Sequence, residues 1–190
     1  VEAFVVVIFI GWVAYIIIKR SGRSQWRAAP QPKGTPQPDR LHFDADRSEP
    51  ADPNYIICGP AYIVDGDTLV VRKTQIRLFG IDAPEMNHPY GQKAKWALYR
   101  LCNGQEVEVE VCAVDDYGRA VGQCFLPDGR DLSAEMVKLG LAIDWPKFSG
   151  GLYRQLEVPD ARRKMWLADA RQKGRMHVWE QFEAQQRGRT

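Results

Sequence analysis

Tyr55–Phe79 reads YIICGPAYIVDGDTLVVRKTQIRLF. Three runs in it, Tyr55–Val64, Thr68–Arg72 and Gln75–Phe79, are apolar and rich in β-branched residues. Such side chains are restricted about their first torsion and fit a pleated, half-buried surface. Asp65-Gly66-Asp67 and Lys73-Thr74 separate the runs. Glycine admits sharp backbone reversals, and aspartate bonds its own backbone in turns. The stretch predicts three short strands joined by tight turns.

Downstream the period changes. In Gln92–Leu101 the residues Ala94, Ala97, Leu98 and Leu101 recur at helical spacing, and Asn103-Gly104 supplies a stop. Glu106–Val111 alternates, with Val107, Val109 and Val111 on one face and Glu106, Glu108 and Glu110 on the other. That is a half-buried strand. Ala120–Leu126 reads as its returning partner after a turn at Tyr117-Gly118. Leu132–Leu139 is a short helix stopped by Gly140, and Gln155–Lys173 a longer one whose regular part begins near Pro159. Five short strands with inserted helices predict an α+β domain, a five-stranded Greek-key barrel of the OB type with three helices.

Upstream lie two different zones. Ala3–Ile18 holds sixteen residues without a charge, followed by Lys19, Arg20, Arg23 and Arg27. A segment apolar all round suits a transmembrane helix better than a surface helix of a small domain. The expectation for residues 1–20 is a single-pass membrane anchor, or a signal segment that on cleavage would leave the protein secreted or periplasmic. Residues 21–53 carry Pro30, Pro32, Pro36, Pro38, Pro50 and Pro53 in a polar background, the composition of a disordered linker. The folded domain is expected over 54–182 and a frayed tail over 183–190.

Charge gives little away. The 190 residues carry a formal net charge of +2, and residues 54–182 hold 17 Lys+Arg against 17 Asp+Glu. Attraction for phosphate must then come from local placement or from a bound cation. The four cysteines form no CxxC pair and histidine is scarce nearby, which argues against structural zinc. Counting outward from Tyr117-Gly118 places Cys112 and Cys124 nearly opposite, so a cross-strand disulfide and two free thiols are both open readings.

Polar residues gather at the turns. Asp67 ends the first turn, Arg77 sits among Ile76, Leu78 and Phe79, Asp82 and Glu85 bracket Ala83-Pro84, and Arg119 ends Asp115-Asp116-Tyr117-Gly118-Arg119. Singly these read as turn acids and an exposed strand arginine. Pro84 fixes its own backbone and restricts Ala83, holding Asp82 and Glu85 on a stiff loop.

Taken in order, IVDGDT, IRLFGIDAPE, DDYGRAVG and MVKLGLA resemble the staphylococcal nuclease (thermonuclease) family over Tyr55–Trp179. The resemblance implies an OB-fold monomer that hydrolyses DNA or RNA phosphodiesters with Ca²⁺. It implies Asp67, Asp82 and the carbonyl of Ala83 as metal ligands and Glu85 as general base. Arg77 and Arg119 would bind the phosphate. Tyr117 and Trp145, the latter with Phe148 nearby, could stack on bases; packing of the turn explains Tyr117 equally, and for Trp145 and Phe148 core packing is the favoured reading. Ala83 stands where the family's best-known member has threonine, and Asp116 where it has lysine; the second change puts one phosphate contact in doubt. His177 and Trp179 are expected to pack the C-terminal end against the barrel, with fraying from Gln181. Two other functions compete: a non-catalytic nucleic-acid or protein module tethered to a membrane, and an OB domain for sugars or proteins.

Overall fold

A computed structural model describes residues 55–115 and 118–188, together with the backbone of Glu49–Pro50. The expected anchor, most of the linker and Tyr117 lie outside the described residues. Among those described, no helix is long and apolar enough to cross a membrane.

After a two-residue strand β1 (Glu49–Pro50) come β2 (Ile56–Ile63), β3 (Thr68–Val71), β4 (Thr74–Leu78) and the short β5 (Ile81–Asp82). Helix α1 (Gly91–Cys102) precedes the hairpin of β6 (Glu106–Val114) and β7 (Ala120–Phe125). Strands β6, β2, β3, β4 and β7 are neighbours in that order, and β7 pairs with β6 again, closing a five-stranded barrel. All its pairings are antiparallel except β4 with β7, where Ile76 faces Ala120. The three runs of Tyr55–Phe79 are thus its first three strands. Val107 and Val109 point inward with no exposed surface, beside Leu69, Val71 and Ile76. Ala94, Ala97 and Leu98 of α1 cover one end of this core. The alternation of valine and glutamate reports the barrel's inside and outside faithfully.

A bulge in β6 changes the cysteine arithmetic. Val111 pairs with Gly122 and Ala113 with Val121, so Cys112 has no partner across the ladder. Cys124 faces Val109 instead and is fully buried, while Cys112 is exposed. All four cysteines are free thiols, and the disulfide reading is set aside. One inserted residue turns a side chain to the other face.

The helical half is more broken than expected. Helix α2 (Leu132–Lys138) starts at Asp131, whose carboxylate accepts from the Ser133 amide at 2.8 Å and from the Tyr153 hydroxyl at 2.8 Å. Then follow β8 (Ile143–Asp144), which pairs with β5, and α3 (Pro146–Ser149). The single helix expected over Gln155–Lys173 divides into a 3₁₀ turn at Arg154–Leu156, α4 (Ala161–Lys164) and α5 (Trp166–Gln172). The kink falls at Met165, which leaves helical torsions to bury its side chain with Ile143, Ala161 and Ala168. Backbone bonding continues through it, from Met165 N to Ala161 O at 2.9 Å and from Asp169 N to Met165 O at 3.0 Å. Helix α6 (Met176–Arg187) runs through the first seven residues of the stretch expected to fray from Gln181. Met176, Trp179 and Phe182 recur every third residue and pack on Leu167 and Ala170 of α5, and Trp179 Nε1 donates to Leu167 O at 2.6 Å. Among the described residues the three helices expected in the domain therefore become six.

Candidate active site

Close packing brings the acidic loops together. A Cβ on Gly66 would meet Ala94 Cβ at 2.6 Å and Ala83 Cβ at 2.9 Å, so the Asp65–Asp67 turn lies flush on α1 and on the loop after β5. Asp67 Oδ2 accepts from the Ala83 amide at 3.1 Å, and its Oδ1 accepts from Arg77 Nη1 at 3.0 Å. Thr68 pairs with Arg77 across β3 and β4, which places that guanidinium beside the turn. Arg77 is 7% exposed and is not the solvent-facing strand arginine that its alternation allowed.

Asp82 and Glu85 meet a cation that the sequence did not single out. Arg171, from the last turns of α5, donates through Nη2 and Nε to the two Asp82 oxygens and through Nη1 to Glu85 Oε1 at 2.8 Å. Asp82 has no exposed surface. The Arg171 guanidinium lies 4.9 Å from the Trp179 ring centre and 5.7 Å from that of Trp145. Burial lowers its pKa to about 10, which leaves it charged at neutral pH. Nothing local marks it, because Arg162, Arg163, Lys164, Lys173 and Arg175 surround it in the chain. Its partner Asp82 is 89 residues away.

Arg119 is fastened by Asp115, which accepts from Arg119 Nε at 2.7 Å and from its amide at 2.8 Å. Its charge reaches the acids, acting to lower the pKa of both Asp67 and Glu85. Burial works the other way. It pushes the Glu85 carboxyl up to about 7, helped by the charges of Asp67 and Asp65 and opposed by Arg77 and Arg119. Asp65 rises to about 6, through burial and then Asp67. Asp67 itself is held low, its burial outweighed by Arg77 and Arg171.

Of the residues singled out from sequence, Asp67, Arg77, Asp82, Ala83, Glu85 and Arg119 thus surround one region. Trp145 is different. It is 9% exposed, its amide bonds Gly80 O at 2.9 Å, and its ring meets Phe148 edge-on at 4.7 Å. An open stacking face is absent; the ring walls in Arg171, as packing of the core would have it. Among the described residues no three His, Cys, Asp or Glu side chains converge as a metal cluster, and both Asp82 oxygens are turned to Arg171.

Comparison with known proteins supplies the family. Residues 75–181 match the model of the family described as Staphylococcal nuclease homologue. The chain is 34% identical over 111 residues to the "Probable staphylococcal-like nuclease CAN1" of Oryza sativa subsp. japonica, covering 57% of this chain and 33% of that protein. It is 38% identical over 84 residues to an "Uncharacterized endonuclease" of Escherichia coli O157:H7, covering 42% and 55%. It is 31% identical over 124 residues to the "Succinoglycan biosynthesis protein ExoI" of Rhizobium meliloti (strain 1021), covering 60% and 62%. The chain spans about a third of the plant relative and somewhat over half of the bacterial ones. A barrel of this topology and a family match over more than half the sequence place the chain in the staphylococcal nuclease homologue family.

Proposed function

We propose that the domain is a nuclease that hydrolyses phosphodiester bonds of DNA or RNA with the help of Ca²⁺. The observation that carries this reading is the grouping of Asp67, Asp82 and Glu85 with the guanidinium groups of Arg77 and Arg171, with the charge of Arg119 felt at Asp67 and Glu85.

The donor chemistry fits a hard divalent ion. Asp67 and Asp82 supply carboxylate oxygens on adjoining loops, Ala83 adds a backbone carbonyl, and water can complete an irregular shell. Each carboxylate already pairs with an arginine, so a metal must compete with Arg77 for Asp67 and with Arg171 for Asp82. When bound, the ion screens the phosphate and strengthens the nucleophilicity of a nearby water.

The chain's own groups do the rest. Glu85, with its pKa near neutrality, is deprotonated in a substantial fraction of molecules at pH 7 and takes the proton from the attacking water. Arg77 and Arg119 neutralise the charge that builds on the phosphate oxygens, a task suited to a planar donor that stays protonated. Asp115 holds Arg119 in place.

Incubation of plasmid DNA and of RNA with Ca²⁺ or with chelator tests the reading. Cleavage should require Ca²⁺, and Glu85→Gln and Arg119→Ala should each lower turnover by at least about 100-fold. Tight binding without cleavage under any metal condition would favour the non-catalytic module.

A further inference from the structure

One face of the domain beside this site is unused by the chemistry above. The loop that follows Glu85 closes tightly on α1: a Cβ on Gly91 would lie 1.9 Å from the Glu85 carbonyl oxygen. Between that loop and α6 opens a cleft of about 480 Å³, walled by His88, Tyr90, Lys93 and Phe182. Side-chain amides of Asn87, Gln92 and Gln186 stand around it. His88 is only 6% exposed, yet neither ring nitrogen has a hydrogen-bond partner among the described residues. It stands edge-on to Trp179 at 4.5 Å, and Trp179 stacks on the Arg171 that holds Glu85. The cleft is therefore one ring removed from the acids.

The cleft runs on into an exposed stripe of α1. Lys93, Trp96 and Tyr99 recur every third residue, Arg100 lies four residues after Trp96, and all four are exposed. Trp96 is 55% and Tyr99 43% exposed, their rings in contact at 5.5 Å. The helix holds Lys93, Lys95 and Arg100 and no acid. Large exposed aromatics interleaved with unopposed cations fit a polyanion whose units carry flat rings.

We propose that the cleft and the α1 stripe form a binding track for the single-stranded continuation of the nucleic-acid substrate. One nucleobase enters the cleft between Tyr90 and Phe182, with the amides on its polar edge. The next stacks on Trp96, and Lys93 and Arg100 face the phosphates. This inference rests on the nuclease reading for the identity of its occupant, but its test does not depend on cleavage.

The test is fluorescence anisotropy of a labelled single-stranded oligonucleotide with the full chain, in chelator so that nothing is cut. Trp96→Ala and Lys93→Gln should each weaken binding by roughly tenfold, the loss expected of one stacked base or one phosphate contact. Lys93→Gln should also flatten the salt dependence by about one phosphate's worth. Thermal midpoints should not move. With Ca²⁺ present, KM for a long oligonucleotide should rise while kcat stays, and hydrolysis of bis(p-nitrophenyl) phosphate should be unchanged. Wild-type affinity in both variants would overturn the proposal. So would loss of binding to phosphatidylglycerol vesicles with oligonucleotide affinity intact, which would assign the stripe to a membrane surface. A wild type that cleaves neither substrate would refute the nuclease reading and leave the anisotropy result to judge the track alone.

Discussion

Arg171 shows what a single side chain contributes here. It is the cation that makes a buried Asp82 tolerable, since an ionised carboxylate without water or partner is strongly disfavoured. Replacing it by methionine keeps much of the volume and strands the carboxylate. We expect Arg171→Met to lower unfolding free energy by about 3–5 kcal/mol in denaturant titrations, the range for a buried pair broken on one side. Ca²⁺ should restore part of the loss, because an ion that binds only the folded state stabilises it; a variant as stable as wild type without metal would show that the ion pair is not needed. His88 gives a second expectation. Burial lowers its pKa below the ordinary 6.5, more than Glu183 raises it. The unfolded chain therefore takes up its proton first as pH falls. The contribution of neutral His88 is complete above about pH 6.5 and is lost progressively below it. Glu85 and Asp65, whose pKa values burial raises, work the other way and favour the folded state in acid, so the difference between wild type and His88→Phe isolates the histidine. Denaturation midpoints measured between pH 5 and 7.5 should show wild type losing stability relative to His88→Phe as pH falls below about 6.5; parallel profiles would show that His88 does not contribute. Of these two residues neither was legible beforehand. His88 sits in an ordinary-looking turn, and Arg171 in a basic run where every neighbour has the same composition.

The strands tell the opposite story. A period of two is read directly from Glu106–Val111, because a barrel wall has one dry face and one wet one. The DGD and DAPE turns were legible through their residue types. The helices after Gly140 were not, because their boundaries are set by tertiary demands. Met165 breaks the period to fill a pocket beside Ile143, and α6 persists past Gln181 because Trp179 and Phe182 find α5 to pack on. Two substitutions probe these joints. Trp179→Ala removes the ring behind Arg171 and His88 and should cost about 3–5 kcal/mol, the usual price of truncating a buried aromatic. Gly66→Ala pushes a methyl into Ala94 and Ala83, and should destabilise by about 1–3 kcal/mol while displacing Asp67. Its activity should fall further than that of an equally destabilised core variant such as Ile76→Val. Equal activities at matched stability would mean that the fit of the turn does not govern the site.

The barrel itself, then, followed from three runs in 25 residues and the later pair Glu106–Val111 and Ala120–Leu126, whereas the site follows from how distant parts of the chain are brought together. Formal neutrality of residues 54–182 hides a strong local order, in which acids collect on two adjoining loops and arginines arrive from β4, from the residue before β7 and from α5. Each of these residues carries its meaning only in that assembly. The claim that the rest depends on is that Asp67 and Asp82 act as halves of one cation site although they lie on separate loops. Calorimetric titration of Ca²⁺ into wild type, Asp67→Asn, Asp82→Asn and the double variant tests it directly. One site per chain in wild type, lost in either single variant with the double no worse, is the expected result; undiminished Ca²⁺ uptake by Asp82→Asn would contradict it.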